Sequence, residues 1–147
     1  MRTILFATDG SEYSQKAVRQ AMALAKATGA KVIGLHVVPQ FHMPRDEGDL
    51  LPTSTAIKSR VDEEHKARAR KILASVEEAA KDAGVQCECV VGINDYIHEE
   101  IIRTAEQQSC DMIVMASHGH AGMTGFLLGS ETAKVLTHAK LSVLVLR

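Results

Sequence analysis

Short apolar runs alternate along the chain with longer stretches in which apolar residues return every three or four positions. Thr3 to Thr8, Lys31 to Val38, Val85 to Val91, Asp111 to Ala116 and Leu141 to Leu146 read as five strands. The first, second and fourth are almost continuously apolar, the pattern of parallel strands covered on both faces. Four helical stripes lie between the runs. Ala17, Ala21, Leu24, Ala25 and Thr28 mark the first, and Ile57, Val61, Ile72, Val76 and Ala80 the second. Ile97, Ile101 and Ala105 mark the third, and Ala133, Leu136 and Ala139 the fourth. Gly29 and Gly84 stand where the first two helices must stop, at positions suited to a left-handed C-terminal cap. The alternation predicts an α/β fold: an open, parallel, five-stranded sheet with helices on both faces and right-handed crossovers.

With 147 residues and no internal repeat, the whole chain, 1–147, is expected to form one domain. Its one compositional break is Pro39 to Ser54, which holds all three prolines together with Asp46, Glu47, Gly48 and Asp49. This segment follows the second strand, so it is expected at the carboxyl edge of the sheet, where open α/β sheets bind ligands. A formal net charge of −1 lacks the basic excess of a nucleic-acid binder. The longest apolar runs, Ala21 to Ala25 and Met112 to Ala116, are far too short to cross a membrane. Met1 and Arg2 lead straight into a strand without signal-peptide architecture. Three cysteines do not make a disulfide framework, so a reducing, cytoplasmic location is expected. Cys87 and Cys89 share one face of a strand and read, with Cys110, as buried thiols. Asp62–Lys66, Glu64–Arg68 and Glu77–Lys81 read as acid–base pairs on a solvated helix face.

The richest stretch for chemistry runs from Met115 to Thr132. It leaves an apolar strand, passes Gly119, Gly122 and Gly125, and enters a helix at Gly129-Ser130. Glycines let backbone approach a ligand closely, and a helix start with a hydroxyl is a ready anion site. The same residues also fit a plain loop followed by an N-cap. Ser117 at a strand end has only Glu131 and His138 as later partners, too close together on one helix to complete a hydrolase triad. His118 and His120 lack any metal-binding spacing. With no Gly-x-x-x-x-Gly-Lys sequence there is no P-loop lysine, so efficient phosphoryl transfer is not expected.

In Gly119, nine residues, Gly129 and Ser130, the chain resembles the ATP-binding pattern of the universal stress proteins. Asp9-Gly10-Ser11 matches the family's opening, and Lys134 to His138 followed by Leu141 to Val145 matches its close. The pattern's first glycine is replaced by Ala116, whose methyl suits the extended geometry of a strand end. The resemblance implies a Rossmann-like sheet of order 3-2-1-4-5, with a crevice between strands one and four. It implies ATP, or ADP or AMP, held there with Mg2+, in a stress-response regulatory module; the missing P-loop lysine adds that this module is not an enzyme beyond slow ATP hydrolysis. Ala7, Thr8, Asp9 and Val38 would line the adenosine pocket, Asp9 accepting from ribose or a nearby donor. Met115, Ala116, Gly119, Gly129, Ser130 and Thr132 would contact ribose and phosphates. Asp9 also fits a turn residue bonding its own backbone, and Glu131 repels a phosphate unless it points outward. A homodimer through Leu141 to Leu146 and a regulatory protein partner are the implied associations. The alternative is a nucleotide-free dimeric interaction module in which Ala116 marks a lost site.

Overall fold

A computed structural model of the chain describes residues 1–42, 52–119 and 127–147. Most of the proline-rich segment (43–51), and His120, Gly122 and Gly125, lie outside these described residues. The elements run β1 (Thr3–Ala7), α1 (Glu12–Thr28), β2 (Lys31–Val38), α2 (Pro52–Ala83), β3 (Cys87–Ile93), α3 (Ile97–Gln107), β4 (Met112–Ala116), α4 (Ser130–His138) and β5 (Ser142–Leu146). All four strand pairs are parallel, in the order β3-β2-β1-β4-β5. The expected architecture and order are therefore the observed ones.

Two apolar layers sandwich the sheet because alternate strand residues face opposite sides. Ile4, Phe6, Val32, Val114 and Ala116 pack with Ala17, Ala21 and Ala25 of α1 and Val76 and Ala80 of α2. Leu5, Ala7, Ile33, Leu35, Ile113 and Met115 pack with Ile101 and Ala105 of α3 and Val135 of α4. Gly29 and Gly84, with φ of 67° and 69°, end α1 and α2 in the left-handed region as expected.

Several boundaries and faces differ from the sequence expectation. Strand β3 starts at Cys87 instead of Val85, because the Val85 N–H is committed to Ala80 O in the cap closing α2. It then runs on to Ile93, which pairs with Val38. Pro52 to Ser54 begin α2 and are not part of the preceding loop. In α4 the buried face is Thr132 and Val135, whereas Ala133 and Leu136 are exposed. Ser130 opens this helix and Thr132 is drawn inward by a bond to Ala116 O, which rotates the expected stripe outward. Ile57 is exposed as well. Cys110 is buried, and burial pushes its thiol up to about 11, but Cys87 and Cys89 are only half-buried on their edge strand. On α2, Lys66 pairs with Glu63 and not with Asp62.

Asp111 lies just outside β4, and its side chain has a task of its own. Its Oδ2 accepts the backbone N–H groups of Arg2 at 2.6 Å and Thr3 at 2.9 Å, which ties the start of β1 to the start of β4. These two N–H groups hold the Asp111 carboxyl below its ordinary value. The folded state thus binds fewer protons than the unfolded chain between the two values. Its contribution is complete above the unfolded pKa near ~3.9 and fades as pH falls through the lower folded one. Asp111→Asn is expected to flatten that part of the acid limb, measured as urea stability between pH 5 and pH 2.

Candidate functional site

The carboxyl ends of β1 and β4 are neighbours, yet the chain leaves them for helices on opposite faces of the sheet. A crevice opens where such a reversal occurs. Here it is a cavity of about 490 Å³ whose walls come from β1, β2, β4, α1, α2, α3 and the start of α4. All ten residues singled out in the sequence line it: Ala7, Thr8, Asp9, Val38, Met115, Ala116, Gly119, Gly129, Ser130 and Thr132.

The β1 end is shaped by short polar bonds. Asp9 Oδ1 accepts from Ser11 N–H and from Ser14 Oγ–H, both at 2.9 Å. Asp9 thus makes the expected turn with its own backbone while its carboxylate also faces the cavity. Gly10 takes a φ of 77°, open to glycine at little cost. His36 Nδ1–H donates to Thr8 O at 2.9 Å, which fixes its tautomer and leaves Nε2 as an acceptor in the neutral ring.

The β4 end shows why small residues stand where they do. A Cβ on Gly119 would lie 2.3 Å from Asp9 Oδ2, so the loop backbone presses on that carboxylate. A Cβ on Gly129 would meet Ser117 O at 3.1 Å and His118 Cα at 3.2 Å. Ala116 does not need to be glycine: Ser109 is the one described non-glycine residue with positive φ, and the Ala116 methyl packs in the core beside α1. Thr132 Oγ1 donates to Ala116 O at 3.0 Å and seats α4 on the end of β4.

The two ends of the glycine-rich segment are clasped together. Gly129 N–H donates to Ser117 O at 2.7 Å. Ser117 Oγ–H donates to His118 Nδ1, and His118 Nε2–H donates to Leu127 O. The Tyr13 ring lies 5.4 Å from the His118 ring and backs it from α1.

Glu131 answers the question its position raised. Its Oε2 accepts the His98 N–H at 3.0 Å in the first turn of α3, and its Oε1 accepts from Lys134 Nζ at 2.9 Å. Burial alone would raise its carboxyl, but Lys134 and the His98 N–H outweigh that and hold it below the ordinary range. The charge that threatened to oppose an anion at α4 is engaged by α3.

Ser14, His36, His65, Arg68 and Ile97 also line the cavity without having been singled out. For His65 and Arg68 a signal existed. They continue the stripe of Val61 and Ile72 at helical spacing, a polar break in an apolar face. Arg68 was instead assigned to Glu64, and that pair is absent among the described residues.

A family model, that of the universal stress proteins, matches residues 1–147. The chain belongs to that family. Universal stress protein MJ0577 of Methanocaldococcus jannaschii is 30% identical over 99% of this chain and 94% of its own length. A universal stress protein of Thermus aquaticus is 31% identical over 99% and 98%. The solved structure of MJ0577 superimposes with a TM-score of 0.81 at 26% identity, covering 99% of this chain and 94% of that one. A universal stress protein solved in complex with cAMP gives 0.72 at 26%, covering 99% and 97%. Among the described residues no helix is long and apolar enough to cross a membrane.

Gly119→Ala is expected to displace the Asp9 carboxylate from Ser11 and Ser14 and to cost about 1–3 kcal/mol. In an Asp9→Ala background the same substitution is expected to cost distinctly less, a coupling readable by a double-mutant cycle in urea.

Proposed function

We propose that this universal stress protein binds an adenine nucleotide in the crevice between β1 and β4. ATP with Mg2+, or ADP or AMP, would occupy it. One observation carries the proposal: the ten residues that the family resemblance assigns to a nucleotide site, from separate segments of the chain, line a single cavity. The cAMP complex of a relative at 26% identity supports the same ligand class. The apolar wall of Ala7, Val38 and Met115 suits a base, while Gly119, Gly129 and Ser130 suit phosphates at the start of α4.

The role we propose is regulatory and not catalytic. No P-loop lysine stands in the sequence, and among the described residues no group of three or more His, Cys, Asp or Glu is arranged to hold a metal ion. Mg2+ would then arrive on the phosphates. Nucleotide occupancy would set the state of the segments beside the crevice, and a protein partner would read that state in the cytoplasm.

Mg-ATP at about a hundred times its Kd is expected to stabilise the fold by ~2.7 kcal/mol and raise Tm by roughly 5–10 °C. Ser130→Ala is expected to weaken binding by about 1–3 kcal/mol. No Tm shift with ATP, ADP or AMP would favour a nucleotide-free interaction module instead. Steady phosphate release abolished by Asp9→Asn would revive an enzyme.

We also propose a homodimer through β5. This strand is a sheet edge, and its Val145 belongs to neither core layer although it is apolar and half-exposed. Light scattering is expected to give twice the chain mass of 15.9 kDa, and Val145→Lys to give a folded monomer.

A further inference from the structure

Val61, His65, Arg68 and Ile72 follow one another along α2 at four, three and four residues, so they share one face. Ile72 anchors that face on the β1–α1 turn: a Cβ on Gly10 would lie only 2.7 Å from its Cγ1. One turn back from this contact, Arg68 lines the cavity, with His65 beyond it. Arg68 is the one lysine or arginine on that wall among the described residues, and it forms no ion pair there. The carboxylates facing the same space are engaged elsewhere, Asp9 with Ser11 and Ser14, and Glu131 with His98 and Lys134.

A guanidinium is permanently charged, and its fork of N–H groups matches phosphate oxygens two at a time. Left without a carboxylate beside a cavity, it is poised for an anion that enters from outside. We propose that Arg68 reads the charge of the ligand's phosphate tail, so that the crevice prefers nucleotides in proportion to their phosphates. It does so from the α2 side of the sheet, while α4 approaches from the other. The inference rests on the nucleotide reading above and adds to it a residue outside the glycine-rich segment.

Titration calorimetry on the full chain with adenosine, AMP, ADP and ATP tests it. Arg68→Ala is expected to lose about tenfold or more in ATP affinity while adenosine binding stays nearly unchanged. Arg68→Lys, which keeps charge but not the fork, is expected to recover part of the loss. Arg70→Ala, a neighbouring cation outside the cavity, is expected to bind all four ligands like the wild type. Equal losses across the four ligands, or losses as large in Arg70→Ala, would overturn the charge-reading role and leave nucleotide binding intact. Wild-type protein that binds none of the four would remove the nucleotide reading, and this inference with it.

Discussion

The side-by-side pairing of β1 and β4 constrains everything built on this sheet. The two strands run in register, Ile4 beside Met112 and Ala7 beside Met115, but their connections depart to opposite faces. A parallel ladder satisfies the backbone of both strands up to Ala7 and Ala116, and beyond those residues no strand continues to close the gap. The crevice is the direct result. Asp111 secures the other end of the same pair by receiving the amide groups of Arg2 and Thr3, so one carboxylate sets the relative height of both strand ends.

Within the crevice, structural and ligand-facing tasks fall on the same atoms. Asp9 makes a turn, holds Ser14 and presents its carboxylate to the Gly119 backbone. That economy explains the steric intolerance at Gly119, where a single methyl meets Oδ2 of a carboxylate whose Oδ1 is already committed to Ser11 and Ser14. It also explains why Ala116 is acceptable: its side chain points into the α1 core layer and its backbone stays extended. The two motif positions look alike in the sequence, but their surroundings differ.

Much of this was legible from residues alone. Near-continuous apolar strands, two cap glycines and a Gly-Ser helix start gave the fold class, while the family resemblance supplied the strand order and the ten residues that the fold gathers at one cavity. What escaped were features decided by individual hydrogen bonds. The start of β3 is set by a cap bond from Val85, the rotation of α4 by the Thr132 bond to Ala116, and the direction of Glu131 by an amide of a different helix. Arg68 escaped for another reason: local spacing offered Glu64 as a partner, and pairwise reasoning along one helix does not register a cavity beside it. Polar residues interrupting an apolar stripe were the available clue.

The clasp of Ser117, His118 and Gly129 reaches beyond its own bonds. Both stems of the glycine-rich segment are pinned by bonds to backbone carbonyls, from Gly129 N–H to Ser117 O and from His118 Nε2–H to Leu127 O, so residues of the stems themselves hold the two together. The end of β4 and the start of α4 are thereby set against one another directly. Such a bracket makes the mouth of the crevice a property of the frame around it.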